Sequence, residues 1–288
     1  MKIIQTVEEM QQLSLSLKKE GKKIGFVPTM GYLHDGHLSL MKTARPLCDV
    51  LVVSIFVNPT QFGPHEDLDK YPRDFERDEQ LCRDQHVDII FYPDTKTMYP
   101  QPYKTYVEVT DLTDYLCGAS RPGHFRGVTT VVAKLFNIIL PDIAVFGRKD
   151  FQQAQIIKQM VRDLNFPVDI ILAPIVRETD GLAMSSRNAY LSEEQRQYAL
   201  VLYQSLSLAK ELILQGERSA RLIFKTIKDK IDSVPSKIDY ISIVNAENFE
   251  PTDVIQDNTL IALAVFIGNT RLIDNMYIER LDKEDQWL

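Results

Sequence analysis

Ile24-Gly25-Phe26-Val27-Pro28-Thr29-Met30-Gly31-Tyr32-Leu33-His34-Asp35-Gly36-His37 runs from an apolar, β-prone stretch through a Pro-Thr-Met-Gly turn into a helix-like segment. Two imidazoles three residues apart at a helix start lie on one face, beside backbone N–H groups that have no partner within the helix and at the positive end of its dipole. Gly36 between them has no Cβ, so an anion can approach the main chain closely. A bare HxGH string is more often two polar residues in a loop. Its place after a strand and before a helix turns the reading toward a phosphate site, one suited to a triphosphate attacked at its α-phosphate.

Working outward, the first 175 or so residues alternate strand and helix signals. Val50 to Val57 is a continuous apolar, β-branched run, the mark of a strand buried on both faces. Asp74 to Gln85 reads as a polar helix and Val87 to Tyr92 as a short strand stopped by Pro93. After a Pro-rich polar excursion from Asp94 to Gly123, Val128 to Ile139 has helical spacing. A strand (Ile143 to Phe146), a helix (Phe151 to Leu164) and a strand (Val168 to Leu172) follow. This alternation predicts an α/β, Rossmann-like domain, a parallel sheet with helices on both faces, whose ligands bind beyond the carboxyl ends of the strands. Past Val176 the pattern changes. Ser192 to Gln215 reads as one long helix begun by a Ser192/Gln195 capping box, then come a helix at Ala220 to Ile231 and strands near Tyr240 to Val244, Leu260 to Phe266 and Thr270 to Ile278. The division expected is 1–176 for the Rossmann-like nucleotide- and substrate-binding domain and 177–288 for a smaller C-terminal α+β lid domain.

Composition narrows the classes. A chain of 288 residues, 44% hydrophobic, has ample apolar content for a globular core. With a net charge of −7 and no basic run, it lacks what grips a nucleic-acid backbone, so no nucleic-acid partner is expected. Cys48, Cys82 and Cys117 have no metal-ligand spacing and read as reduced thiols of a cytoplasmic protein. There is no apolar signal segment at the N-terminus and no 18-residue apolar run, so no membrane partner is expected.

Four more loops sit at predicted strand ends or at the change of pattern. Asn58-Pro59-Thr60-Gln61-Phe62-Gly63-Pro64 offers the Asn58 and Gln61 amides to a small polar substrate. Gly147-Arg148-Lys149-Asp150 precedes a helix; Lys149 can bridge phosphates, Asp150 is placed as an N-cap or ribose partner, and Gln153 can face the same cleft as Gln61. Arg121-Pro122-Gly123-His124-Phe125-Arg126-Gly127 reads as a solvated loop that could shape an anion site. Met184-Ser185-Ser186-Arg187, two hydroxyls and a guanidinium on a mobile segment, can close over a polyphosphate. Glu66, Asp67, Asp69, Asp74 and Asp78 are acids for Mg²⁺, most of them read as solvated helix residues; His65 and His86 read as surface residues.

Taken together, the motifs resemble the pantothenate synthetase (pantoate–β-alanine ligase) family, within the HxGH-containing nucleotidyltransferase superfamily. The likeness rests on Pro28-Thr29-Met30-Gly31 leading into His34-Asp35-Gly36-His37, on Phe56 to Pro59 with Gln61 to Gly63, and on Tyr71-Pro72-Arg73. It continues in Arg121-Pro122, His124-Phe125, Lys149-Asp150 with Gln152-Gln153, and Asp180 to Asn188. The resemblance implies an AMP-forming acid–amine ligase: pantoate and ATP give pantoyl adenylate and pyrophosphate, and β-alanine then displaces AMP. It implies ATP contacts at Met30, Gly31, Tyr32, Leu33, His34, Asp35, Gly36 and His37, at Gly147, Arg148, Lys149 and Asp150, and at Val176, Met184, Ser185, Ser186 and Arg187. His34, His37, Lys149 and Arg187 are the expected catalytic residues, supplying cationic or donor groups; Gln61, Gln153 and Asn58 the expected substrate contacts; Asp78 the expected Mg²⁺ neighbour. Arg148 stands where the family often has an acid. The resemblance also implies a homodimer.

Three rivals stay open on the residues alone. One is a nucleotidyltransferase that stops after attaching AMP to a phosphorylated acceptor, another a non-catalytic nucleotide-binding module, and a third a tRNA synthetase. The first needs more pocket cations than the Gln61 and Gln153 pair provides, the second has no use for so full a set of polar residues, and the third fits neither the acidic balance nor the absence of anticodon-binding bulk.

Overall fold

The computed structural model describes residues 1–64, 66–283 and Trp287; His65, expected at the surface, lies outside them. The chain opens with β1 (Lys2–Ile4) and α1 (Val7–Lys19). The Thr6 side chain caps α1 by accepting the Glu9 N–H, and acids in its first turn with lysines in its last complement the helix dipole. Then come β2 (Ile24–Thr29), α2 (Asp35–Ala44), β3 (Val50–Ile55), α3 (Phe75–Asp84) and β4 (Ile89–Phe91). After α4 (Thr95–Met98) and α5 (Leu116–Ser120), α6 (His124–Ile139), β5 (Ile143–Gly147), α7 (Phe151–Asp163) and β6 (Asp169–Ala173) follow. The remainder forms α8 (Glu193–Ala199), α9 (Val201–Leu214), α10 (Ala220–Ile231), β7 (Lys237–Asn245), β8 (Thr259–Ile267) and β9 (Thr270–Ile278). No helix among the described residues is long and apolar enough to cross a membrane.

Two compact units result: Met1–Thr110 with Arg121–Ala173, and Asp111–Ser120 with the chain from Pro174 onward. The chain therefore parts at Ala173 rather than at 176, and Asp111–Ser120, with α5 inside it, groups with the second unit, which a single division does not provide for.

The first unit is built on a six-stranded sheet in the order β1-β4-β3-β2-β5-β6, with every pair parallel. Residues alternate between its faces. Val27, Leu51, Val53, Ile55, Ile90 and Val145 pack with Leu38 and Met41 of α2 and Cys82 of α3. Phe26 meets Phe136 of α6 edge-on, with ring centroids 6.3 Å apart. Helices thus cover both faces, which is why β3 reads as an unbroken apolar run. From β2 the order steps outward to β3 and β4, and then returns to the other side of β2 for β5 and β6. The carboxyl ends of β2 and β5 therefore flank the switch point, where an open parallel sheet leaves a crevice.

The second unit packs α9 and α10 on the antiparallel sheet β7-β8-β9. Alternate residues Ile261, Leu263, Val265 and Ile267 of β8 share a core with Leu202, Leu206, Ile213, Ile223, Ile227 and Ile231 of the helices. The helix expected over Ser192 to Gln215 is two helices. At Leu200 the N–H reaches back to Gln197 O, three residues away, and this 3₁₀-like tightening separates α8 from α9. The Ser192/Gln195 capping box is present.

Candidate active site

α2 begins with a capping box made of two histidines. His34 is the N-cap, and its Nδ1 accepts the Gly36 N–H at 3.1 Å; the Nδ1 of His37 accepts the His34 N–H at 3.3 Å. The rings lie 4.1 Å apart between centroids. A nitrogen that accepts carries no proton, so each neutral ring keeps its proton on Nε2. Burial pushes the His34 pKa down to about 4, helped by the Lys149 charge. Burial also holds His37 well below its ordinary value, with His34 and Lys149 adding to the effect. At neutral pH both imidazoles are therefore uncharged donors, which decides between the cationic and donor roles that the sequence allows. The sign for stability follows from the lowered values: the contribution is full above pH 6.5, the unfolded value, and is lost as pH falls toward about 4. His34→Asn, which keeps a capping side chain, is expected to flatten part of the fall in melting temperature between pH 6.5 and 5. An unchanged slope in that variant would contradict a neutral His34.

The turn before α2 is held by Asp78. Gly31 (φ 84°) and Tyr32 (φ 51°) are both left-handed, a path that aims successive N–H groups into one concavity. The Asp78 carboxylate fills it, Oδ2 accepting the Tyr32 N–H and Oδ1 the Leu33 N–H, each at 2.7 Å. A Cβ at Gly31 would lie 3.0 Å from that Oδ2, so glycine is needed for space as well as for φ. Thr29 Oγ1 ties the same turn to the sheet, accepting from Gly31 N and donating to Ser54 O. Asp78, singled out among the acids as the Mg²⁺ neighbour, is 1% exposed, and each of its oxygens accepts a backbone N–H. Burial, its largest influence, raises the carboxyl pKa, against the pull of the two backbone donors. Asp78→Asn sets an amide NH₂ against a backbone N–H. It is expected to cost about 2 kcal/mol, read as a lower melting temperature; unchanged melting would sink this role. Of the other acids, Glu66 pairs with Arg121 and Asp74 caps α3.

Beyond β5, Gly147 leads into a 3₁₀ turn, Arg148–Asp150, ahead of α7. Lys149 is close enough for its charge to act on both imidazoles, so His34, His37 and Lys149 share one locality. Asp150 occupies the N-cap position of α7, but its side chain makes no capping bond. Gln153 is half-buried on the first turn of α7.

Beyond β3, the amide orientations can be deduced. Asn58 faces Gly127 O at 3.1 Å, and a carbonyl only accepts, so the facing atom is Nδ2. Its other proton goes to Gln61 Oε1 at 3.0 Å, while Oδ1 accepts from Tyr99 OH and Thr60 Oγ1. All four positions on the Asn58 amide are used, and it is 2% exposed. Asn58, expected as a substrate contact, is instead the residue that orients Gln61. Gln61 then presents Nε2, which lies 3.2 Å from Met30 Sδ, as a donor beside the turn that leads to His34.

Arg121 and His124, read from sequence as part of a solvated loop, belong to this framework. Arg121 binds both oxygens of Glu66. His124 Nδ1 lies 2.8 Å from Gln61 O and its other nitrogen 3.2 Å from Arg121 Nη1. The carbonyl accepts and the guanidinium donates, so Nδ1 bears the proton and the ring is neutral. Burial and the Arg121 charge lower its pKa to about 4. The Arg-Pro-Gly-His string was visible in sequence; its partner Glu66, far along the chain, was not. His86 sits in a left-handed turn (φ 55°) and is exposed, as expected of a surface residue.

In the second unit, Val176 and Met184 are paired: Met184 N–H donates to Val176 O at 3.0 Å, beside an antiparallel bridge between Arg177 and Ala183. Ser185 caps the 3₁₀ turn Ser186–Tyr190 by accepting the Arg187 N–H, and Ser186 is buried.

A parallel sheet carrying two neutral imidazoles, a lysine and an oriented amide at its switch point defines an α/β nucleotide-binding protein of the HxGH kind. A model of the pantoate-beta-alanine ligase family matches residues 2–277, and this chain belongs to that family. The pantothenate synthetase of Caldicellulosiruptor saccharolyticus is 57% identical over 280 residues, covering 97% of this chain and 100% of that one. The crystal structure of pantothenate synthetase from Thermus thermophilus superposes with a TM-score of 0.92 at 45% identity, over 96% of this chain and 99% of that one. A pantoate-beta-alanine ligase from Francisella tularensis, crystallised with beta-gamma ATP and beta-alanine, gives 0.80 at 37% identity, over 97% and 98% of the two chains.

Proposed function

We propose that this protein condenses pantoate with β-alanine to form pantothenate at the expense of ATP, through a pantoyl-adenylate intermediate. The observation that carries the reading is the pair of neutral imidazoles capping α2 at the switch point, with Lys149 beside them. In the first step a pantoate carboxylate oxygen attacks the α-phosphorus and the bond to pyrophosphate breaks. In the second, the β-alanine nitrogen attacks the acyl carbon and AMP leaves. Neither step needs a protein nucleophile, so positioning and charge stabilisation dominate. Gln61 and Gln153 hold pantoate, and the Gln61 donor suits its hydroxyl or carboxylate oxygens. Met30 to His37, Gly147 to Asp150, Val176 and Met184 to Arg187 bind ATP. The ligands of the Francisella tularensis relative support ATP and β-alanine as substrates.

Mg²⁺ is proposed to arrive on the ATP phosphates. Each Asp78 oxygen already accepts one backbone N–H, so its carboxylate serves first to hold the turn before α2 and can meet such an ion only with its remaining lone pairs. Among the described residues no cluster of three or more His, Cys, Asp or Glu is disposed to hold a metal. No step is assigned to a protein-held ion. Three free cysteines support work in the cytoplasm, and the net charge of −7 supports the lack of a nucleic-acid partner. A homodimer is proposed as the working form, to be checked by light scattering at twice the chain mass.

The deciding assay follows AMP and pyrophosphate from ATP, Mg²⁺ and pantoate, with and without β-alanine. AMP that depends on β-alanine, with pantothenate as co-product, is the expected result. Pyrophosphate without AMP would indicate a transferase that retains its adenylate, and no turnover would indicate a binding module.

A further inference from the structure

We infer that Arg177 and Asp274 are positioning residues for the nucleotide, acting through the hairpin that carries Val176 and Met184–Arg187. The inference rests on the reading of those residues as ATP contacts. Arg177 donates from Nη1 to Asp274 Oδ2 at 2.7 Å and from Nη2 to Oδ1 at 3.0 Å, a bidentate pair. The side chains are 12% and 1% exposed. Asp274 lies on β9, where Asp274 Oδ1 also accepts the Asn275 N–H. Arg177 Nη1 donates again to Gly181 O, and the guanidinium covers the Tyr203 ring at 4.7 Å.

Those contacts fix a hairpin. Glu178 N–H donates to Leu182 O, and Gly181 N–H to Glu178 O, closing the turn. Gly181 has φ 97°, and a Cβ there would come within 2.8 Å of Tyr203 Cγ, so the turn is seated on that ring. In an extended segment successive side chains point to opposite faces. Arg177 and Ala183 thus hold one face to the sheet, while their neighbours Val176 and Met184 share the other. A buried ion pair is weak evidence for stability, because an apolar pair of similar volume often serves as well. What an apolar pair cannot reproduce is the fork that sets the hairpin's register on β9 and holds the Gly181 carbonyl. The segment that bears Met184–Arg187 is thus tied to β9 through the Arg177–Asp274 pair.

The test is steady-state kinetics and melting of the full-length enzyme for Asp274→Asn, Arg187→Ala and the double variant Arg177→Met with Asp274→Leu. Asp274→Asn is expected to raise the KM for ATP about tenfold or more, leaving the KM for pantoate and β-alanine within about twofold, with a lowered melting temperature. The double variant is expected to regain the melting temperature but not the KM for ATP, which a purely structural pair would not do. Recovery of both overturns the inference. If Asp274→Asn folds with an unchanged KM for ATP while Arg187→Ala raises it, positioning fails and the ATP-contact reading stands. If neither raises it, that reading fails and the inference with it. Should Asp274→Asn not fold, the double variant decides.

Discussion

Lys149→Ala is expected to lower the rate of pantoyl-adenylate formation on the order of a hundred- to a thousandfold, the usual result of removing one group aimed at a transition state. Adenylation moves negative charge onto the leaving pyrophosphate and through the five-coordinate phosphorus. The two imidazoles next to Lys149 cannot answer that with charge, because burial keeps both neutral. They offer Nε2–H dipoles, and the lysine supplies the cation. His37→Ala is expected to fall by a similar factor, but it also opens the capping box, so its rate mixes lost donor with lost positioning. Lys149 is half-buried in a short turn with no part in that box, which makes its replacement the cleaner experiment. Pyrophosphate release in single turnover with pantoate and ATP reads the step directly. A Lys149→Ala enzyme that melts like the parent and keeps near-full adenylation would remove Lys149 from the mechanism.

The strand-turn-helix around His34 was legible because its signals are local: β-prone residues, a Pro and Gly turn, and two histidines at a helical offset. The same holds for β5 with Gly147–Asp150, for the Ser192/Gln195 box, and for α10 and β9, whose bounds agree with those read from the sequence. β1 and α1 went unread; β1 has three residues of which Ile4 alone is buried, too short for a period-2 pattern. The roles of Asp78 and Asn58 were missed for a different reason. Each depends on partners distant in sequence: Asp78 on the Tyr32 and Leu33 amides, Asn58 on Gly127 and Tyr99. An acid near a phosphate site reads as a metal neighbour, and an amide near a substrate as a contact; the backbone and side-chain atoms that each also holds are set by the fold and do not show in the string. The same reasoning changes His34 and His37. Sequence shows two histidines at a helix N-terminus, and only burial and the direction of their Nδ1 bonds make them neutral.

Gly127→Ala is expected to destabilise the protein by about 3 kcal/mol, the upper range for forcing a methyl group into a packed interior, and to raise the KM for pantoate more than that for ATP. Gly127 lies on the first turn of α6 against the backbone of the turn that bears Gln61. A Cβ on it would overlap the Thr60 carbonyl and fall 2.6 Å from the Gln61 nitrogen. Backbone on both sides leaves no flexible side chain to yield, so α6 and the turn must separate. Separation carries Gly127 O away from Asn58 Nδ2, and with it the bond that orients the Gln61 amide. It also stretches the contact of Gln61 O with His124, which α6 carries as its first residue. One methyl group thus reaches Gln61 by two routes, through Asn58 and through His124. The imidazole pair on α2 and Lys149 before α7 lie on other elements, so the ATP side should suffer less. Melting by calorimetry and separate titrations of ATP and pantoate make the check. A large fall in stability with both KM values unchanged would mean that Gln61 does not hold pantoate. Equal rises in both would mean that the damage is not confined to the Asn58–Gln61 turn.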